Sequence, residues 1–85
     1  MDTITAQVSL YPLRQVSIGP PIREAVRVFR ERGLETRMGA MSTLVWGEGQ
    51  AVFSALQEAF HRAAERGDVV MTVTLSNACP SPEES

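Results

Sequence analysis

Thr3-Ile4-Thr5-Ala6-Gln7-Val8-Ser9-Leu10-Tyr11, closed by Pro12, alternates between two kinds of side chain. Ile4, Ala6, Val8 and Leu10 point one way; Thr5, Gln7, Ser9 and Tyr11 point the other. Period-two alternation predicts a strand with one apolar and one polar face. The stretch from Asp68 to Ser76 repeats the pattern, with Val69, Met71, Val73 and Leu75 on one side. Val70, Thr72, Thr74 and Ser76 fall on the other.

Between these strands the period changes. Leu13 to Pro21, with Gly19-Pro20-Pro21, reads as a loop. Ile22 to Arg32 then has helical spacing, with Ile22, Ala25, Val26 and Phe29 on one face and Gly33 as a C-terminal cap. Glu35 to Met41 and Leu44 to Gly47 are short strand candidates that turn near Ala40 to Thr43. A second helix runs from about Gln50 to Arg66, with Val52, Phe53, Leu56, Ala59, Phe60 and Ala63 as its apolar stripe. Residues 1–77 form one domain on this reading, and Ala78 to Ser85, with two prolines and two glutamates, form a disordered tail.

The order strand, helix, strand, strand, helix, strand predicts an α+β, ferredoxin-like βαββαβ fold: a four-stranded antiparallel sheet with two helices on one face. Right-handed crossovers are expected to set strands one and three side by side and parallel at the centre. The helices should cover Ile4, Val8, Leu10, Met71, Val73 and Leu75. On that geometry Ser9, Tyr11, Trp46 and Glu48 gather at the C-terminal ends of the central strands, where ligands of α/β sheets commonly settle. Thr43 and Asn77 fall at the opposite end. The other sheet face is left open to solvent, a partner subunit or a ligand, and the side that Trp46 takes is ambiguous.

Composition narrows the function. The chain has 85 residues, room for one domain, and 44% of them are hydrophobic. A chain this short folds with little stability to spare, so a homo-oligomer is expected. Ten acids face eight arginines, with no lysine, for a net charge of −2. That offers little excess positive charge for a nucleic-acid backbone. One cysteine, Cys79, excludes an intramolecular disulfide, and one histidine, His61, disfavours a metal cluster or a serine triad. The start of the chain lacks the pattern of a signal peptide and no run is long enough to span a membrane, so the cytoplasm is the expected location.

No nucleophile–base pair, phosphate loop or metal spacing is present. Glu48, after a glycine and before the second helix, suits either that helix's positive end or a ligand. Trp46 and Tyr11 suit either packing or stacking. Ser9 and Gln7 read equally as exposed strand residues, His61 as a solvated helix residue, and Cys79 as a tail thiol with no base beside it.

Three segments taken together carry a resemblance: Ala6-Gln7-Val8-Ser9-Leu10-Tyr11-Pro12-Leu13, Met41-Ser42-Thr43-Leu44-Val45-Trp46-Gly47-Glu48 and Val70-Met71-Thr72-Val73-Thr74-Leu75-Ser76-Asn77. In order and spacing the chain resembles the small thiamine-binding protein family, single-domain relatives of YkoF-like proteins, from about Thr3 to Asn77. It departs from the family in a proline-rich first loop, Arg14 to Pro21, and in the bulk of Trp46.

The resemblance implies a dimer or tetramer that binds thiamine or its hydroxymethylpyrimidine part without catalysis. No further cofactor and no metal is expected, His61 being the one histidine. Hydroxyl and amide side chains can read a pyrimidine edge, and an aromatic face can hold a ring or a cation. The candidate ligand-binding residues are Ser9, Thr43, Trp46 and Glu48, followed by Gln7, Tyr11 and Asn77. Because Thr43 and Asn77 are expected at the far end, a site using all of them would be shared across an oligomer. Competing readings are an interaction module with no small-molecule ligand, an RNA-binding sheet face, and an enzyme using Glu48 alone.

Overall fold

The alternation of the first strand continues directly into three dimensions: Ile4, Ala6 and Val8 are buried while Thr3 and Gln7 are exposed. The computed structural model describes residues 2–14 and 19–78. The elements are β1 (Thr3–Pro12), α1 (Gly19–Glu31), β2 (Glu35–Met38), β3 (Thr43–Glu48), α2 (Gly49–Glu65) and β4 (Val69–Ser76). They form a four-stranded sheet in the order β2-β3-β1-β4, the ferredoxin-like α+β arrangement. The expected disorder of the C-terminal tail falls mostly on residues 79–85, which lie outside those described.

Every neighbouring pair of strands is antiparallel. The expectation that strands one and three run parallel is therefore corrected. A crossover through α1 makes β2 parallel to β1, and the tight connection to β3 then reverses the chain. The strand beside β1 must run against it. The register is Thr3↔Glu48 at one end and Val8↔Thr43 at the other, so the expected grouping of site residues changes as well.

α1 begins three residues earlier than Ile22, with Gly19, Pro20 and Pro21 in its first turn. First-turn N–H groups have no partner within the helix, so proline removes nothing there. The end of α1 is a Schellman motif. Leu34 N donates to Phe29 O (3.1 Å) and Gly33 N to Arg30 O (3.0 Å), with Gly33 at φ +77. That turn delivers Leu34 into the core, where Gly47 makes room for it: a Cβ on Gly47 would lie 2.6 Å from Leu34 Cδ2.

The core gathers Ile4, Ala6, Val8, Val28, Phe29, Leu34, Val45 and Val52, with Ala55, Leu56 and Ala59 of α2 beside them. Leu10, Met71 and Val73 pack against it partly buried. Leu75, expected under the helices, is 43% exposed. Phe53 and Phe60 also depart from the expected stripe of α2 and lie exposed on its flank. Small Ala55, Ala59 and Ala63 let the helix approach the sheet, and the phenylalanines fall to the side of that contact.

On the side of α2 turned toward α1, charged groups bridge the helices. Arg32 and Arg62 both reach Glu58 (2.6 Å each), and Arg66 reaches Glu24 (3.3 Å). The Arg32 guanidinium first, and then that of Arg62, holds the Glu58 carboxyl below its usual range.

Candidate functional site

β1 is longer than β3. Their pairing stops at Val8↔Thr43, while β1 runs on to Pro12 against β4 alone. The overhang leaves the β3 side of Ser9, Leu10 and Tyr11 without a strand partner, and the connection 39–42 between β2 and β3 folds across that notch. Gly39 N donates to Ser42 O (2.8 Å) and closes the connection. Two side chains of β1 fix it in place: Ser9 Oγ donates to Met41 O (3.4 Å), and Gln7 Nε2 donates to Ser42 Oγ (3.2 Å).

Under this connection lies a cleft of about 380 Å³. Its walls are Val8 to Tyr11 of β1, Ile22, Ala25 and Phe29 of α1, and Met38 to Thr43. The lining is mostly apolar, with hydroxyls from Ser9, Tyr11, Ser42 and Thr43. Small-molecule sites commonly have this make-up, an apolar volume with a few convergent polar groups. Met41 and Met38 stand at its lip, 81% and 54% exposed, and flexible thioether side chains adapt readily to different shapes.

The sequence candidates divide between the two ends of the sheet. Ser9, Tyr11 and Thr43 line the cleft, and Gln7 holds its roof. The expectation that Thr43 lies far from Ser9 and Tyr11 is overturned by the antiparallel register. Trp46 and Glu48 sit at the other end of β3, opposite Thr5 and Thr3. Asn77 belongs with them, following Ser76, which pairs with Thr5. One chain therefore does not bring all of these residues together. Pairing with Thr5 also settles the side of Trp46: it lies on the sheet face away from the helices and is 8% exposed.

Glu48 ends β3 and is at once the N-cap of α2. Its carboxylate accepts from Ala51 N (2.9 Å), and this bond, followed by one from Gln50 N–H, holds its pKa below the ordinary 4.5. His61 stands edge-on to Phe60, with ring centroids 6.5 Å apart. Among the described residues no group of three His, Cys, Asp or Glu could hold a metal ion. None of the described helices is long and apolar enough to cross a membrane.

Ile22, Ala25, Phe29, Met38 and Ser42 line the cleft without having been candidates. The first three carry the helical spacing of core residues, and nothing in the sequence separates a core wall from a pocket wall. Ser42 sits inside a recognisable segment, between Met41 and Thr43.

Fold and cleft together define a small ferredoxin-like domain with a ligand-sized space at one end of its sheet. The chain belongs to the YkoF-related family, whose model matches residues 3–82. No curated protein sequence matches it. It is similar in structure to a hypothetical protein of Methanocaldococcus jannascii, with 25% identity, coverage of 95% of this chain and 86% of the other, and a TM-score of 0.83. A Streptococcus pneumoniae protein shares the fold at 18% identity, 96% and 94% coverage and a TM-score of 0.84. So does a Thermotoga maritima protein described as a proposed thiamine biosynthesis/salvage protein, at 16% identity, 96% and 92% coverage and a TM-score of 0.80.

Proposed function

We propose that this protein binds thiamine or its hydroxymethylpyrimidine moiety in the cleft beneath residues 39–42, as a binding protein and not as an enzyme. The cleft carries the proposal. Its volume of about 380 Å³ suits a single substituted ring, and the hydroxyl residues Ser9, Tyr11, Ser42 and Thr43 stand among its apolar walls. Hydroxyls both donate and accept, which matches the mixed edge of an aminopyrimidine. Tyr11, 48% exposed, supplies aromatic surface. Membership of the YkoF-related family, and the salvage role proposed for the Thermotoga protein, support the same ligand class.

The same lining supports binding as the role. Among the described residues the cleft contains no carboxylate, imidazole or thiol, the side chains that most often move protons or attack. Trp46, Glu48 and Asn77 would reach a ligand in this cleft only from a second chain. Self-association as a homodimer or homotetramer is part of the proposal. Phe53, Phe60 and Leu75, exposed at 43%, 40% and 43%, are the apolar surface it would cover.

Calorimetric titration with hydroxymethylpyrimidine and with thiamine tests the proposal. Saturable binding that is weakened by Thr43→Val supports it. A heat-silent titration with a folded protein that still self-associates would favour an interaction module instead. Trp46 fluorescence is a poor reporter, because that side chain lies at the other end of the sheet.

A further inference from the structure

The eight arginines of this acidic chain are not treated alike. Arg14 pairs with Asp68, Arg32 and Arg62 with Glu58, and Arg66 with Glu24. Among the described residues Arg23, Arg27, Arg30 and Arg37 make no ion pair or hydrogen bond. Three of these are close in the fold: Arg23, Arg27 and Arg30 recur at helical spacing along one exposed strip of α1. Arg37, on β2, lines a separate groove with Gln7 and Leu44.

As helix chemistry the strip is unfavourable. Like charges four residues apart repel one another. The first turn of α1 holds no acid to offset its positive end. Glu24, the acid within the strip's own span, is turned to Arg66 and Arg62 of α2 (3.3 and 4.0 Å). Glu31, four residues after Arg27, forms no ion pair with it. Unpaired like charges held together despite these costs suit an anion that is not part of the chain.

The position of the strip says which anion. Arg23, Arg27, Arg30, Glu31 and Met38 line a shallow groove, and Met38 is also a wall of the cleft. The two spaces share the flexible side chain of Met38. Arg23 folds back toward the start of α1, where a Cβ on Gly19 would lie 2.8 Å from its Nη1. Its charge thereby adds to the positive end of the helix.

We propose that the physiological ligand is a phosphate ester of the ring compound, with the ring in the cleft and the phosphate over Met38, held by Arg23, Arg27 and Arg30. Guanidinium groups suit this because their planar fork matches phosphate oxygens in pairs. Both ring compounds named above carry a primary alcohol, the group on which a phosphate ester is formed. The inference rests on the cleft being the ring site.

The test compares hydroxymethylpyrimidine, thiamine, their monophosphates and inorganic pyrophosphate by calorimetry, on the wild type and on the double variant Arg23→Gln/Arg27→Gln. The monophosphates are expected to bind about tenfold or more tightly than the free alcohols, a difference that shrinks in the double variant and at high salt. Affinity for the free alcohols should stay unchanged. The variant should melt no lower than the wild type, because it removes like-charge repulsion. Equal or weaker binding of the monophosphates overturns the inference and leaves the cleft reading standing. If no ring compound binds but pyrophosphate binds and is lost in the variant, the cleft reading falls and the anion site stands. If pyrophosphate and both monophosphates all fail to bind, the anion site is overturned.

Discussion

The two ends of the β1–β3 ladder carry similar polar side chains and use them differently. At the Thr3↔Glu48 end the strands stay paired to their limit and the chain passes straight into α2. Glu48 is occupied there by the amides of the first turn of α2. At the Val8↔Thr43 end the ladder stops early, and Ser9, Tyr11, Ser42 and Thr43 surround a space. At this end Ser9 and Ser42 already hold the 39–42 connection, through Met41 O and Gln7 Nε2, whereas the hydroxyls of Tyr11 and Thr43 make no hydrogen bond to other described residues. A mismatch in strand length thus leaves polarity at one end of the ladder that the fold does not fully use.

The largest effect of a single substitution is expected at the floor of the cleft. Phe29 is 1% exposed, belongs to the core and also lines the cleft. Phe29→Ala should cost about 3–5 kcal/mol of stability, read as a collapse of the denaturant midpoint. For a domain with about 5–15 kcal/mol in total, that approaches unfolding. If the variant stays as stable as the wild type, the cleft end does not share the core.

Two further variants separate the ends. Glu48→Ala should lower the melting temperature by several degrees through loss of the cap, and leave the affinity for ring compounds as it was. Ser9→Ala and Thr43→Val should do the reverse. Each should weaken ligand binding by about twofold to tenfold, the ordinary worth of one hydrogen bond, with a smaller change in melting. If Glu48→Ala abolished binding instead, the site would be shared between chains.

The pH dependence sharpens the same contrast. The Glu48 and Glu58 carboxyls have folded pKa values below 4.5. Their contributions are fully present above about pH 4.5 and are lost as pH falls through the lowered folded values. Acid melting curves should therefore flatten in Glu48→Gln. The smallest change is expected for Glu58→Gln, because its bridges to Arg32 and Arg62 lie at the surface and are screened by salt. A melting loss in Glu58→Gln larger than that of Glu48→Ala would contradict this ranking.

Much of this could be seen in the residues. The alternation in Thr3–Tyr11 and in Val69–Ser76, and the helical spacing of Ala25, Val26 and Phe29, set the element order and hence the fold class. The family resemblance, carried by three short segments, agrees with the family model over residues 3–82. Ser9, Tyr11 and Thr43 were singled out from sequence and meet in one cleft. The cleft's other walls were not, because Ile22, Ala25 and Phe29 obey the same apolar period whether they pack against a neighbour or face a space.

Local sequence determined which segments are strands and helices, and which side chains share a face, because those follow from periods of 2 and 3.6 residues. It determined the stop at Gly33 for the same local reason, whereas Glu48 stayed open between a cap and a ligand until the structure placed Ala51 N on its carboxylate. Only the tertiary structure decided where strands end relative to one another. Register depends on contacts between residues far apart in the chain, Val8 with Thr43 and Thr3 with Glu48, and no local pattern encodes it. That register moved Thr43 to Ser9, parted both from Trp46 and Glu48, and left the overhang of β1 in which the cleft lies.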